Sequence, residues 1–170
     1  MDAPRVIAHR LAPDGSVPNH PRWPLLVYPG AVSAGADLAD AIETLFARHG
    51  WPPAWRNGVH PFHHFHGNAH EALGVYRGEV TVRFGGDSGV DIVARPGDVL
   101  VLPAGTGHKK LASRGALGVV GAYPAGQDAD MHTRRAASPA QEMQAIARVP
   151  LPASDPVYGA AGPLFEHWRS

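Results

Sequence analysis

Two segments of this chain, 64–71 and 97–108, supply three histidines (His64, His66 and His108) and one glutamate (Glu71) at spacings that restrict how the chain can fold. Three imidazoles and a carboxylate form a ligand set for one divalent metal. Five of the eleven histidines lie between residues 60 and 70, and packed cores prefer apolar side chains, so fold requirements alone do not explain this concentration. A fold that serves this chemistry must bring the two segments together.

Local geometry suits the first segment to ligand binding. On an extended strand, residues two apart point to the same side, so His64 and His66 can face one point while Phe65 faces away. Glu71 follows a bend predicted at 67–69, because Gly and Asn favour bends, and it can approach the same point from another direction. Four such ligands leave positions open for water, substrate or dioxygen.

The two segments also match longer motifs. The first motif is H-x-H-x4-E-x6-G, which ends at Gly78, and the second is G-x5-P-x-G-x2-H, from Gly97 to the last histidine of the set. In these motifs the sequence resembles the cupin superfamily. The resemblance implies an all-β fold, a double-stranded β-helix or jelly-roll barrel. It also implies four metal ligands, which are His64, His66, Glu71 and His108.

The cupin motif often ends with Asn four residues after its last histidine, and here that position is Ala112. The Asn is not a ligand, so this departure leaves the predicted metal site intact. Segments at both ends of the chain resemble the small single-domain bacterial cupins of the YjlB-like group, namely 14–19, 149–152, 155–159 and 162–165. This narrower similarity extends nearly end to end and implies the fold more than the substrate.

Each predicted ligand, taken singly, can be explained without a metal. A histidine can lie on the surface at a strand end or in a turn, and a glutamate is commonly a solvated carboxylate. Their joint occurrence in a long motif favours one shared metal site. Three other histidines neighbour the ligands, and we expect them to support a ligand or to lie at the surface rather than to bind metal: His60, His63 and His70.

Length and composition are consistent with a single domain, 1–170, which holds one copy of the motif pair. We divide it into N-terminal strands with a bracing helix at 1–58, a barrel core at 59–123, and a helix with a Pro-rich tail at 124–170. The 20 glycines and 17 prolines favour short strands and tight turns. The sequence has no cysteine, which excludes disulfides, thiolate ligands and a Cys nucleophile.

Charge and hydropathy limit the partners. The formal net charge is zero, from 15 basic and 15 acidic residues, and no basic stripe indicates nucleic-acid binding. No apolar stretch reaches membrane-spanning length, and the N-terminus lacks the organisation of a signal peptide. We therefore expect a cytoplasmic protein whose partner is a small molecule rather than a nucleic acid or a membrane.

Outside the barrel the sequence predicts strands, helices and a packed tail. Strands are expected at 6–11 and 25–28, where nearby prolines would confine them to sheet edges. Apolar residues at helical spacing predict a helix at 37–49, and a Ser-Pro start predicts a short C-terminal helix at 138–148. The tail is aromatic, so we expect it to pack on the barrel or on a second subunit.

Within the barrel, apolar and polar residues alternate. With Glu71 facing inward, Leu73 and Val75 share its face, and the alternation continues through 80–93, which predicts an apolar cavity around the metal. Residues 99–102 are apolar on both faces, which predicts a strand that is covered on both sides. Edge strands, this strand and the tail all need covering surfaces, so we expect a homodimer.

Three functions are compatible with these features. The chain could be a metal-dependent enzyme of dioxygenase, isomerase or lyase type on a small metabolite, a metal-containing binding or sensing module, or a barrel stiffened by a structural metal. Structural sites are normally closed, which disfavours the third. Ligands without sulfur suit one divalent transition metal per chain, from among Fe, Mn, Ni, Co and Zn. The sequence identifies no catalytic residue, because charged residues beside strands usually lie at the solvated surface: Arg77, Arg83, Lys109 and Lys110.

Overall fold

The computed structural model describes residues 4–169, and within them the chain is built mainly from antiparallel strands. Seven strands form one sheet that curls into a half-barrel, and three short helices accompany it within the same residues. This architecture confirms the predicted mainly β barrel. In chain order the elements are β1 (Ile7–His9), β2 (Leu25–Tyr28), α1 (Leu38–Arg48), β3 (Pro53–Asn57), β4 (Glu71–Phe84), β5 (Val90–Ala94), β6 (Val99–Leu102), β7 (His108–Ala122), α2 (Pro139–Ala147) and α3 (Leu164–His167).

The two longest strands, β4 and β7, form the centre of the sheet and pair antiparallel along their length, from Ala72 opposite Ala122 to Phe84 opposite His108. β6, β2 and β1 extend the sheet from the first half of β4, while β5 pairs with its second half. β3 pairs with the other side of β7. Every part of the predicted ligand set therefore lies on or beside the two central strands.

A bend in β4 brings its two halves together. The register with β7 is irregular on both sides of Gly78. Gly78 has φ +73°, and a Cβ at this position would lie 2.9 Å from the carbonyl oxygen of Arg114. Only glycine adopts this backbone conformation without strain and also leaves room for the neighbouring strand. Because the sheet curls here, Glu71 at the start of β4 lies near His108, which pairs with the last residue of the same strand.

Both faces of the sheet are buried. The inner face confirms the predicted alternation, since Leu73 and Val75 share one apolar cluster with the alternate apolar residues of 80–94, whereas Val93 is exposed. The outer face holds a second cluster, to which Val99 and Val101 contribute, while Leu100 and Leu102 belong to the inner one. The strand at 99–102 is therefore covered on both sides, as predicted.

The chain covers its own outer face. Ile42 and Phe46 of α1 are fully buried against it. The aromatic tail also packs there: the Trp168 indole donates a hydrogen bond to the Pro24 carbonyl at 2.9 Å, and its ring stacks on Trp23 with centroids 5.4 Å apart. The tail thus packs on the barrel of its own chain. A covering subunit is not needed for the tail or for β6, and the expectation of a homodimer now depends on the edge strand β1.

The helices confirm two predictions and add one element. α1 and α2 lie at the predicted places, and the Ser138 side chain accepts a hydrogen bond from the Gln141 amide at the start of α2. α3 was not predicted, because four residues are too few to show helical periodicity. Within residues 4–169, no helix has the length and apolar character needed to cross a membrane.

Two strand predictions need correction. β2 was expected at a sheet edge, but it pairs with β1 on one side and β6 on the other. The nearby prolines precede the strand, so all four amides from Leu25 to Tyr28 remain able to donate to neighbours. The sequence does not predict β3, because Pro52 and Pro53 indicate only the end of the preceding helix. Its first residue is a proline, a position that strands tolerate.

Stability is expected to fall in acid because of His20, which is 6% exposed. Its Nδ1 accepts hydrogen bonds from the Arg22 and Trp23 amides, and burial, with the nearby His70 and Arg22, lowers its pKa from 6.5 to about 3. The unfolded chain therefore binds more protons than the folded one, so stability present above pH 6.5 is lost as the pH falls towards 3. One such group changes the unfolding free energy by up to about 1.4 kcal/mol per pH unit.

Urea unfolding at a series of pH values between 4 and 7 tests this expectation. His20→Asn should reduce the pH slope, because an amide oxygen can accept the same two hydrogen bonds without titrating. His9→Asn, at the edge strand β1, is the matched control and should keep the native slope. Equal slopes for the native protein and His20→Asn would contradict the assignment.

Candidate metal centre

Three of the four predicted ligands converge on one point. His64, His66 and His108 each offer a ring nitrogen, and these three atoms lie within 4.8 Å of one another. His64 and His108 are buried, and the His66 side chain is 11% exposed. Nitrogens at these separations can bind one ion between them. The structure therefore brings together histidines from two segments, as the sequence predicted.

The backbone joins the two motifs directly. His64 and His108 form an isolated antiparallel bridge, in which each amide donates to the other residue's carbonyl at 3.2 and 2.9 Å. The Gly105 amide donates to the His66 carbonyl at 2.7 Å. The predicted extended geometry holds at 64–65 as two isolated bridges, to His108 and to His132, rather than as part of a long strand. Phe65 faces away and is fully buried, which is the alternation that the H-x-H spacing predicts.

Each ring is oriented by a backbone carbonyl. Nδ1 of His64 lies 3.0 Å from the Phe62 carbonyl oxygen, and Nδ1 of His66 lies 2.5 Å from that of Asp130. Nδ1 of His108 lies 3.0 Å from the Thr106 carbonyl oxygen. A carbonyl only accepts, so each Nδ1 carries a proton and donates it. The lone pair of each neutral ring is then on Nε2. This arrangement, in which the other nitrogen is fixed by an acceptor, is typical of metal-binding histidines.

Glu71, the fourth predicted ligand, lies beside two of these histidines. Its carboxylate is 2% exposed, with Oε2 at 3.3 Å from Nε2 of His66 and Oε1 at 3.3 Å from Nε2 of His108. Oε1 accepts no hydrogen bond from any residue of 4–169. A buried carboxylate oxygen without a donor is costly unless a positive charge compensates it. Its oxygens lie beside two of the three converging nitrogens, where a bound cation would compensate this charge, although Glu71 is not among the side chains whose ligand atoms all lie within 4.8 Å of one another.

The electrostatics favour positive charge at this point. Burial alone would raise the pKa of Glu71, but His66 and His108 hold it below its ordinary value. Burial likewise opposes a charge on His66, yet the Glu71 carboxylate raises the pKa of His66 to about 9. Burial, followed by the neighbouring His108, lowers the pKa of His64 to about 3, so this ring is neutral at pH 7 and able to bind a metal.

The three neighbouring histidines are not among the converging nitrogens, although the His60 ring lies 5.0 Å from that of His64. His60 stacks on Phe62 at the cavity rim, with centroids 4.8 Å apart, and His63 pairs with the exposed Asp87 at 2.8 Å. The surface role predicted for His70 is wrong, and its ring hydrogen-bonds to neither of the two motifs' other histidines. It is fully buried on the outer side, where it accepts from the Ala104 amide and donates to the Pro150 carbonyl, both at 2.9 Å.

One supporting residue was missed. The Asp130 carbonyl orients His66, while its carboxylate accepts from the Gly67 amide at 2.7 Å and pairs with His132 at 2.9 Å. Asn68 fastens the same loop by accepting from the Asp130 amide at 2.8 Å. No local spacing relates Asp130 to a ligand 64 residues earlier. The alternating polar run at 128–132 was the available signal.

A cavity of about 430 Å³ opens onto the histidines. Its wall is partly apolar, from Trp55, Val59 and Leu73, and also contains Tyr123. The Trp55 indole donates to the Tyr123 hydroxyl at 3.0 Å. Burial and the Glu71 carboxylate raise the pKa of Tyr123 to about 12, so the hydroxyl keeps its proton at neutral pH. The site thus has an open side and a protonated hydroxyl in its wall.

The chain is similar to known proteins. The Cupin family model matches residues 56–135. A Bacillus subtilis (strain 168) protein described as "Uncharacterized protein YjlB" is 44% identical over 155 residues, which are 91% of this chain and 92% of that protein. The crystal structure of a DUF861 family protein from Thermotoga maritima is 20% identical and covers 51% of this chain and 90% of its own, with a TM-score of 0.33. On the Bacillus relative, the chain belongs to the YjlB-like cupins, which confirms the resemblance predicted from its motifs.

Asp130→Ala is expected to weaken metal binding about tenfold, the usual effect of removing a group that supports a ligand. The substitution frees the loop whose carbonyl orients His66, since the Gly67 amide and His132 lose their acceptor. Competition with a chelator measures the affinity. Asp87→Ala, which removes the surface partner of His63, is the matched control and should change the affinity less than about twofold. Equal effects of the two substitutions would contradict the role of Asp130.

Proposed function

We propose that this cupin is a metal-dependent enzyme that acts on a small, oxygen-bearing metabolite. The observation that carries the proposal is the convergence of three oriented imidazoles and one buried carboxylate at the floor of an open cavity. Three histidines and a glutamate leave coordination positions free, which a purely structural site does not need. The cavity gives a small molecule access to those positions.

We propose that His64, His66, Glu71 and His108 hold one divalent transition metal per chain. Imidazole and carboxylate suit Fe, Mn, Ni, Co or Zn, and the chain has no thiolate to narrow the choice. The donor set supports this assignment through its buried, uncompensated Glu71 oxygen. When bound, the metal would supply Lewis acidity to polarise a substrate oxygen, or a site for dioxygen.

The residues of the wall have their own tasks. The Trp55 indole N–H donates a hydrogen bond to the Tyr123 hydroxyl oxygen. Because an indole cannot accept, the Tyr123 hydroxyl proton must be donated to a different group. The acceptors available to this proton are the Glu71 carboxylate and a ligand in the cavity. We propose that Tyr123 donates this hydrogen bond to the substrate, with Trp55 as its positioning residue. Apolar side chains nearby exclude water and strengthen the interaction.

The second candidate is a binding or sensing module without turnover. That function needs the metal and the cavity but no proton donor beside them. Tyr123 lines the cavity with a hydroxyl that stays protonated at neutral pH, which favours the enzyme. The open cavity beside the histidines supports the binding or sensing module, because binding of a small molecule requires only such a cavity.

Anaerobic reconstitution with iron(II), followed by oxygen-uptake measurements over a panel of thiols, diols, keto acids and sugar phosphates, tests the proposed function. Turnover of one member by the reconstituted protein, and none by the protein without metal, is the expected result. The same panel is then followed by product analysis with Mn, Ni, Co and Zn. Binding without turnover for every metal would replace the enzyme by the sensing module.

Tyr123→Phe is expected to lower turnover of the substrate found in that panel about 100-fold, the lower range for loss of a positioned proton donor. Metal content should stay at the native level, because the hydroxyl is not among the four ligands. Tyr158→Phe, on the tail and 38% exposed, is the matched control and should keep native turnover. A Tyr123→Phe protein with native turnover would remove Tyr123 from the mechanism.

We also propose that the protein forms a homodimer through β1. This strand pairs only on its β2 side within residues 4–169, and Ile7 on it is 39% exposed. Unpaired edges of this kind favour pairing with a second copy. Sedimentation velocity should give the mass of two chains, and Ile7→Lys should shift the equilibrium towards the monomer. A native protein that sediments as a monomer would contradict this proposal.

A further inference from the structure

Lys110 shares the cavity with the candidate metal ligands. It lies two residues after His108 on β7, so both side chains lie on the same face of the strand, and both line the cavity. The Lys110 amide donates to the His60 carbonyl at 2.9 Å, which fixes this part of the strand beside the cavity rim. Lys109, between them, is not part of the wall. The two adjacent lysines therefore have different surroundings.

Among the four candidate cations, Lys110 lines the cavity, and it does so without a carboxylate partner. Arg83 pairs with Asp91 at 2.7 Å, and Arg77 donates to the Ala116 carbonyl at 3.0 Å, both outside the cavity. No Asp or Glu within residues 4–169 forms an ion pair with Lys110, which is half-buried. An ammonium in a partly apolar wall, without a carboxylate beside it, is available to a negatively charged ligand.

The two carboxylates that line the same cavity, Asp130 and Glu71, already have other partners. Asp130 accepts from the Gly67 amide at 2.7 Å and pairs with His132 at 2.9 Å. Glu71 faces His66 and His108 at 3.3 Å. Neither is committed to Lys110. The charge that Lys110 would bind must therefore come from outside the chain.

We infer that Lys110 binds a carboxylate of the substrate and selects small acids whose other end places an oxygen on the metal. This inference rests on the proposed function and names its substrate class. The wall between the two ends is apolar, from Trp55, Val59 and Leu73, and suits a short hydrocarbon body. A single ammonium fits a carboxylate better than a phosphate dianion, since phosphate sites usually combine several donors and the wall contains no Arg.

Binding of simple probes to the cobalt(II)-loaded protein tests the inference without turnover. The probes are the monohydroxamates of succinate, glutarate and adipate, which carry a carboxylate at three distances from a metal-binding group, and neutral butyrohydroxamate. Changes in the cobalt absorption bands give the dissociation constants. At least one acid should bind the native protein about tenfold more tightly than the neutral probe, as expected for one charge-assisted hydrogen bond.

Two variants of adjacent lysines complete the experiment. Lys110→Gln should lose the preference for the acid and keep native affinity for butyrohydroxamate, whereas Lys109→Gln should keep both. An unchanged preference in Lys110→Gln, with normal binding of the neutral probe, would overturn the role of Lys110 and leave the metal centre standing. A phosphonate-tailed hydroxamate that binds more tightly than every carboxylate, through Lys110, would overturn the carboxylate class. A native protein that binds no cobalt would overturn the proposed function together with this inference.

Discussion

Replacing His108 with Ala is expected to abolish stoichiometric metal binding and to leave the barrel folded. The histidine supplies one of three converging nitrogens, and Glu71 would lose one of its two imidazole neighbours. Two large apolar clusters on the faces of the sheet remain intact without it. Elemental analysis of tag-free protein should fall from about one metal per chain to less than about 0.1, while the far-ultraviolet circular dichroism stays native.

His63→Ala is the matched control for that substitution. It removes another histidine of the same segment, but one that pairs with Asp87 at the surface. Native metal content is expected in this control. His66→Ala should resemble His108→Ala, because both nitrogens lie 3.3 Å from the Glu71 carboxylate. One metal per chain in both ligand variants would contradict the assigned site.

Asp155→Ala is expected to reduce the free energy of unfolding by about 3 to 5 kcal/mol, since it leaves several donors without an acceptor. Asp155 is fully buried. Its Oδ1 accepts from the Val157 and Tyr158 amides at 2.8 and 3.0 Å. Its Oδ2 accepts from the Leu164 amide at 3.1 Å and the Tyr28 hydroxyl at 2.5 Å. One carboxylate thus ties the tail to β2, and urea unfolding measures its contribution.

Two tyrosine variants separate this carboxylate from general packing effects. Tyr28→Phe removes a single donor to Asp155 and should cost about 1 to 2 kcal/mol. Tyr158→Phe keeps the aromatic ring, which packs against Tyr28 with centroids 5.5 Å apart, and removes only the hydroxyl. It should lower the free energy of unfolding by less than about 0.5 kcal/mol. A loss below about 1 kcal/mol for Asp155→Ala would show that other contacts hold the tail and that the carboxylate contributes little.

Much of the candidate metal site could be predicted from the sequence, because the spacing within each motif is local and the resemblance to cupins implies the ligand set. His64 and His66 lie on the same side of an extended segment, with one residue between them. Glu71 follows one bend, and His108 ends a second short motif. Each spacing is set by strand and turn geometry over a few residues. The structure adds the contact between the motifs, which depends on the bend at Gly78.

What the sequence could not predict depends on distant contacts. Asp130 orients a ligand 64 residues away, and periodicity has no information about such a pair. His70 follows the strand alternation correctly, yet its burial against Trp23 and Trp168 requires the tail to fold back. The edge position predicted for β2 was wrong because proline limits only its own amide. Lys109 and Lys110 look alike in sequence, and only the register of β7 assigns one of them to the cavity.

The most direct test of the account is anomalous diffraction from crystals of the zinc-loaded protein, with data on both sides of the zinc absorption edge. The account predicts one strong peak per chain, about 2.1 Å from Nε2 of His64, His66 and His108 and beside the Glu71 carboxylate. A chain without a peak there, or with its zinc bound at other residues, would contradict the claim that these four side chains form a metal centre.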